Sequence, residues 1–301
     1  MKQAYPTFIA PSGADYQLVK RGITFMKLQV LVDNNTFIDC YYLGEPGASY
    51  YIEDGPAKIL FDTGYSDIFI KNAEDMGIDL GAITHLVLSH GHNDHTGGLK
   101  ALAERFDLSQ TRLIAHPLCF APKWAHEGYI GAPFDTAQIM GKFSCTLTRE
   151  PCWITETCCF LGEIPESNDF ETRRKLGEMD VDGGREDDFL LDDTAMAIRT
   201  GEGIFIITGC SHSGICNIVE QAKKVFGTEK IAGIIGGFHL FKTDERLERT
   251  IDYLSGLDVP HMYPCHCVSL KAKAEMMKRM DVEEVGVGLA LEQPPAFSSS
   301  D

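Results

Sequence analysis

The chain has 301 residues, 44% of them hydrophobic and 24% charged, which fits a folded globular protein and excludes a disordered, collagen-like or coiled-coil chain. With 27 Lys and Arg against 44 Asp and Glu, the formal net charge is −17. Such a surface repels phosphate backbones and anionic membranes, so bulk electrostatic binding of nucleic acid or membrane is excluded, while a local basic pocket for a small phosphate is not.

No apolar run reaches the roughly 20 residues of a membrane span. The first twenty residues hold no continuous apolar core of export-signal length, so we expect a soluble, cytoplasmic protein. Its ten Cys are then expected as buried thiols or metal ligands, and the lack of any C-x-x-C pair removes support for a four-thiolate zinc site.

In chain order, Phe25–Val32, Ser49–Glu53 and Lys58–Phe61 read as strands, separated by turn residues such as Asp54-Gly55-Pro56. Tyr65–Met76 reads as a helix, then His85–Ser89 and Arg112–Ala115 as short buried strands. Pro117–Leu191 is irregular and too long for a plain connector, so we expect an inserted lid or substrate segment. Thr194–Arg199 and Gly203–Thr208 read as paired strands, Cys216–Phe226 as an amphipathic helix, and Ile231–Ile235 as a strand. Asp244–Leu254 and Leu270–Met280 read as helices, with a short strand at His261–Tyr263 and a last strand at Val285–Leu291. This mixture predicts an α/β (α+β) protein with helices outside mixed sheets. One domain over residues 1–292 and a disordered tail over Gln293–Asp301 are expected.

The most informative segment is His90-Gly91-His92-Asn93-Asp94-His95, directly after the strand His85–Ser89. Three His and one Asp within six residues, on a loop at a strand end, form a metal-ligand cluster. Imidazole and carboxylate together suit zinc, iron or manganese. A polar surface loop of satisfied histidines is the bland alternative.

This HGHNDH segment resembles the H-x-H-x-D-H signature of the metallo-β-lactamase fold. Ile59-Leu60-Phe61-Asp62-Thr63-Gly64, Ile207-Thr208-Gly209-Cys210 and Tyr263-Pro264-Cys265-His266 resemble further elements of it. LSHGHNDHTGGL, TGCSHSGICN, IGGFHL and YPCHC, in this order, resemble the subgroup named after dihydropterin-ribofuranosyl-aminobenzene-phosphate synthase. The resemblance implies a four-layer αββα sandwich with two divalent metal ions at one sheet edge. It implies that His90 and His92 hold the first, that Asp94, His95 and His266 hold the second, and that Cys210 occupies the bridging position. The third histidine usual near position 190 is absent, and Phe189-Leu190-Leu191-Asp192-Asp193 stands there, so His212 is the expected substitute. Cys210 remains either a ligand or a buried thiol.

In that frame Asp62 is expected to hydrogen-bond a ligand histidine rather than bind metal. His239 competes with His266 for the last ligand position; we favour His266, leaving His239 as a proton-transfer group. His116 ends a strand facing the same edge and is a candidate substrate contact. Arg149, Arg173, Arg174 and Lys175 are candidate anion clamps, with Trp124, Trp153 and Phe160 available for stacking. Cys158-Cys159, Cys265 and Cys267 are expected in packing. Ser211 lacks the Gly-x-Ser-x-Gly elbow of a nucleophile.

The implied activity is metal-dependent hydrolysis of a small anionic substrate by hydroxide between two cations, with Asp94 orienting it. A transferase joining a phosphoribosyl compound to a pterin and a metal-binding sensor are the alternatives, the intact cluster speaking against the sensor. The oligomeric state is left open.

Overall fold

A computed structural model describes residues 26–126, 128–181 and 183–294. The expectations for residues 1–25 and 295–301 lie outside the described residues.

Two sheets form the centre. The first runs in the order Ala290–Gln293, Met26–Val32, Ser49–Asp54, Ala57–Phe61, His85–Val87, Arg112–Ala115 and Ser144–Leu147. Its first four strands are antiparallel and the rest join in parallel. The second runs Met262–Pro264, Ile231–Gly236, Gly203–Thr208, Ala195–Thr200, Cys158–Phe160 and Cys152–Trp153.

Alternation along each strand assigns every residue to one of two faces. Phe205 and Ile207 turn inward, where with Met196 and Phe160 they pack against Tyr50, Ile52, Ile59 and Phe61 of the first sheet. Ile204 and Ile206 turn outward, beneath Ile218, Val219 and Ala222 of the helix Ile215–Phe226 and Leu247 and Ile251 of the helix Glu245–Ser255. On the other outer face, Tyr51, Leu60 and Leu86 meet Phe69 and Ala73 of the helix Ile68–Met76 and Leu102 of Leu99–Arg105. Three apolar seams thus stack helix on sheet, sheet on sheet and sheet on helix, the expected four layers. No helix among the described residues is long and apolar enough to cross a membrane.

Most elements fall within a few residues of the sequence reading. Two depart from it. The last strand is Ala290–Gln293, paired with Met26 at the sheet edge, not Val285–Leu291. Gly288 at φ +97° bends the chain before it, so Gln293 belongs to a strand rather than to a tail. The segment 117–191 is woven into the sandwich rather than laid over it. Ser144–Leu147 ends the first sheet, Cys152–Trp153 and Cys158–Phe160 end the second, and Lys123–Ala125 joins the hairpin Gly177–Val181/Gly184–Asp188 in a small third sheet. Buried Glu171 in this segment accepts the amide protons of Cys216 and Asn217, capping the helix Ile215–Phe226 with a carboxylate where its dipole favours one.

Candidate metal centre

The strands Ala57–Phe61, His85–Val87, Gly203–Thr208, Ile231–Gly236 and Met262–Pro264 all end at one edge of the sandwich. Asp62, His90, Cys210, His239 and His266 follow those ends within three residues, so five separated stretches of sequence converge there. The chain turns sharply as it leaves the strands. Asp62, Ser211, His239 and His266 all adopt left-handed backbone conformations, with φ between +51° and +58°.

The cluster His90–His95 is half loop and half helix. His92 caps a single turn, Asn93–Thr96, which carries Asp94 and His95. Gly91 is required by crowding: a Cβ there would stand 2.0 Å from the Cys119 carbonyl oxygen. The sequence reading placed the whole cluster on a loop; the turn is held by the His92 carbonyl, which accepts the amides of His95 and Thr96.

The side chains gather into two groups. His90, His92 and His212 form one; Asp94, His95, Cys210 and His266 form the other; within each, the candidate ligand atoms lie within 4.8 Å of one another. In the second group Cys210 Sγ is 3.2 Å from both His95 Nε2 and His266 Nε2, and Asp94 Oδ2 is 3.4 Å from His266 Nε2. The groups adjoin, with the His90 and His95 ring centroids 4.4 Å apart.

Metal ions fit these donors. The Nε2 atoms of His90, His92 and His212 are buried with no hydrogen-bond partner, an expensive arrangement for three neighbouring imidazoles unless a cation takes their lone pairs. Burial also pushes the pKa of each below the ordinary imidazole value, which keeps them in the neutral, ligating form. His95 differs: burial opposes its protonation, but Asp94 and Asp62 outweigh burial and raise its pKa. Burial pushes the Cys210 thiol well up, a tendency that cation binding reverses by taking the thiolate.

The opposite ring nitrogens are held. Asp62 Oδ2 accepts from His95 Nδ1 at 2.7 Å and from Ser89 Oγ at 2.7 Å, while Asp62 Oδ1 accepts from the Ser89 amide. Having given its proton to Asp62, Ser89 Oγ can accept only from His90 Nδ1, 2.9 Å away. His266 Nδ1 lies 2.9 Å from Asn34 Oδ1, and the His266 amide donates to Asp33. In all three rings Nδ1–H is the donor, so Nε2 carries the lone pair that faces the centre. Behind His90 and His92, Asp192 accepts from the Gly91 amide and from buried Lys123, while Asp193 accepts from the amide and hydroxyl of Ser213 beside His212. Asp192 and Asp193 therefore support the loops that carry these candidate ligands, and His212 stands beside His90 and His92.

His239 stands beside the first group, its ring centroid 4.4 Å from that of His212. Burial, and after it the Arg246 charge, push its pKa down to about 4. It is therefore neutral at pH 7, a hydrogen-bonding group that can accept a proton.

The structure redirects the other expectations. His116 is fully buried, with Nε2 on Glu163 and Nδ1 accepting the Leu118 amide, so neither nitrogen is free for a substrate. Arg149 is paired with Glu163, and Arg173 spends its guanidinium on the carbonyls of Leu190 and Ile164. Arg174 is exposed, and Lys175 pairs with Asp187. Phe160 is in the core, Trp153 packs on Phe226, and Trp124 lies under Arg185. Ser211 is buried, its hydroxyl donating to the Gly237 carbonyl. Cys158, Cys159, Cys265 and Cys267 are buried as expected.

Sequence reasoning did not single out Asp33, Asn34, Ser89, Lys123 or Arg246. Ser89 had a local signal, standing between a strand and the first ligand. The others carry none.

Residues 43–226 match the metallo-beta-lactamase superfamily. An uncharacterised protein of Methanocaldococcus jannaschii is 34% identical over 251 residues, covering 83% of this chain and 93% of its own length. The 7,8-dihydropterin-6-methyl-4-(beta-D-ribofuranosyl)-aminobenzene-5'-phosphate synthase of the same organism is 31% identical over 282 residues, covering 87% and 95%. Among solved structures, a metal-dependent hydrolase of the beta-lactamase superfamily superposes with a TM-score of 0.75 at 30% identity, over 89% of this chain and 99% of that one. The match over most of the chain agrees with the layers and the histidine-rich edge already described, and the chain belongs to the metallo-beta-lactamase superfamily.

Proposed function

We propose that this protein is a metal-dependent hydrolase acting on a small substrate that bears a phosphate or carboxylate. One observation carries the reading: two adjoining donor groups, in the first of which three buried imidazole nitrogens have no partner. His90, His92 and His212 would hold one divalent cation, zinc, iron or manganese. Asp94, His95 and His266 would hold a second, with Cys210 Sγ beside both imidazoles. Such ions supply Lewis acidity and water made acidic enough to attack near neutral pH. The remaining chemistry belongs to the chain. His95 and His266 outweigh burial and keep the Asp94 carboxylate ionised, so that it can accept a proton and orient the attacking water. His239, neutral and only partly covered, offers a hydrogen bond to the substrate or its leaving group. An open depression of about 390 Å³, lined in part by Asn34, Thr36, Tyr42 and Glu45, lies by His266 through Asn34 and offers room on that flank.

The likeness to the archaeal synthase favours a second reading, in which an organic acceptor replaces water at the same centre. Elemental analysis followed by a panel of phosphodiesters, phosphomonoesters and lactones separates the two. We expect about two metal ions per chain and a hydrolytic activity that Asp94→Ala abolishes. Full metal content with no hydrolysis, but with coupling of a phosphoribosyl compound to a pterin, would establish the second reading instead.

A further inference from the structure

The stretch between the strands Met26–Val32 and Ser49–Asp54 runs along the second donor group and is bonded to it at two points. At one, Asn34 Oδ1 accepts from His266 Nδ1 at 2.9 Å and from the Gly47 amide at 3.3 Å. At the other, the Ala48 amide donates to the Asp94 carbonyl at 3.3 Å. Asn34 also lines the open depression of about 390 Å³. The other ring nitrogen of His266 lies 3.2 Å from Cys210 Sγ and 3.4 Å from Asp94 Oδ2. One imidazole therefore separates the wall of the depression from the candidate metal ligands.

Thr36, Tyr42, Leu43, Glu45 and Pro46 make up most of the remaining lining, and no lysine, arginine or histidine among the described residues takes part. Glu45 carries the charge there. Its Oε1 accepts the amides of Tyr65 and Ser66, and its Oε2 accepts the Ser66 hydroxyl, which holds the carboxylate in place. A fixed negative charge with no cation in the lining disfavours a phosphate or carboxylate in the depression. Neutral hydrogen-bonding capacity is left over. Asn34 Oδ1 is engaged twice, whereas Asn34 Nδ2 and the Thr36 hydroxyl make no hydrogen bond among the described residues. A backbone bridge to Val287 fixes the position of Thr36. Tyr42 and Leu43, both partly exposed, add apolar surface to the same lining.

We propose that this depression binds an uncharged, hydroxyl-bearing ring of the substrate, while the anionic group sits at the metal centre. The ring hydroxyls accept from Asn34 Nδ2 and exchange hydrogen bonds with the Thr36 hydroxyl, and the ring's apolar face lies against Tyr42 and Leu43. A volume of about 390 Å³ is many times the roughly 30 Å³ of one water molecule and has room for a six-membered ring. The inference rests on the proposed function for the centre beside it and divides the substrate in two: an anion on the metal side of His266 and a neutral polar ring on the Asn34 side.

The test titrates two non-hydrolysable phosphonates calorimetrically into zinc-loaded protein, one the analogue of glucose 6-phosphate and the other of cyclohexylmethyl phosphate, which has the ring without the hydroxyls. Wild type should bind the glucose analogue about tenfold more tightly, the effect of two hydrogen bonds. Thr36→Val, which keeps the shape and removes the hydroxyl, should cut that preference to about threefold. Thr36→Trp, which fills the depression, should erase it, with zinc content the same in all three proteins. Equal affinity for the two phosphonates in wild type would overturn the inference, as would a full preference in Thr36→Trp. Loss of zinc or of the folded state in Thr36→Val would also overturn it, because the residue would then be structural. A wild type that binds neither phosphonate defeats the proposed function instead. Methyl glucoside, which needs no metal, then decides the inference by nuclear magnetic resonance: shifts of the Gly44 and Gly47 amides in wild type but not in Thr36→Trp support it, and their absence in wild type overturns it.

Discussion

Lys123 Nζ lies 3.1 Å from Asp192 Oδ1, and neither side chain is exposed to solvent. The second Asp192 oxygen accepts the Gly91 amide at 2.8 Å, between the two histidines of the HGH segment. Asp188 stands on the other side of the ammonium, at 3.3 Å. Burial alone disfavours a charged lysine, but the two carboxylates outweigh it and raise the Lys123 pKa.

Removing one partner of such a cluster leaves the others buried without compensation. Lys123→Met should therefore lower unfolding free energy by about 3–5 kcal/mol, measured by guanidinium denaturation. It should also weaken metal binding at His90 and His92 before it affects the Asp94 group. A variant as stable as the parent would mean that the ion cluster contributes nothing net.

Asp62→Asn removes the charge that orients His95 and, through Ser89, His90. We expect metal affinity to fall by about 10–100-fold while the fold remains. Competition against a chromophoric chelator measures this directly. Unchanged affinity would leave Asp62 a turn residue.

The cysteine offers a spectroscopic test. With Cys210 Sγ 3.2 Å from two imidazole nitrogens, cobalt loading should produce a thiolate-to-metal absorption band in the near ultraviolet. Cys210→Ser should remove the band, while His212→Ala should keep it and bind less cobalt overall. A band that survives the serine substitution would assign the thiolate elsewhere.

Acid should destabilise the metal-free protein. Burial sets the folded pKa values of His90, His92 and His212 below 6.5, so below that pH the unfolded chain binds protons that the native state refuses. Stability then rises with pH between those folded values and 6.5. His95 acts in the opposite sense, since its raised pKa contributes stability that is full below 6.5 and lost as pH rises through the folded value. Burial lowers His85, His116 and His239 as well, so six imidazoles against one set the sign. The guanidinium midpoint in the presence of chelator should fall between about pH 7.5 and about pH 5.5. A midpoint that rises over this interval would contradict the neutral-imidazole assignment.

Much of this was legible in the linear sequence, because the signals were local. The strands Arg112–Ala115 and Gly203–Thr208 lie where their β-rich runs place them, and His90, His92, Asp94 and His95 announce themselves by spacing. His212 was readable from its closeness to Cys210. What was not legible depends on distant pairing. Asn34 meets His266 across 232 positions, and Lys123 meets Asp192 across 69. No window of sequence reports that Arg173 turns to two carbonyls whereas Arg246 turns to none. The strand near the C-terminus was misplaced for a related reason: Val285–Leu289 is as apolar as a strand, but Gly286 and Gly288 lead it around Phe37 and Tyr42 before pairing begins.

The left-handed turns at Asp62, Ser211, His239 and His266 set fold and site against each other. Each such residue other than glycine costs about 1 kcal/mol or more relative to a relaxed backbone. A random drift toward glycine at these positions would relax the scaffold while stripping out a candidate ligand, an anchor or a neighbour of the candidate centre. Selection for thermal hardiness alone would therefore erode this edge first, and a laboratory lineage evolved only for heat resistance should lose metal before it loses shape.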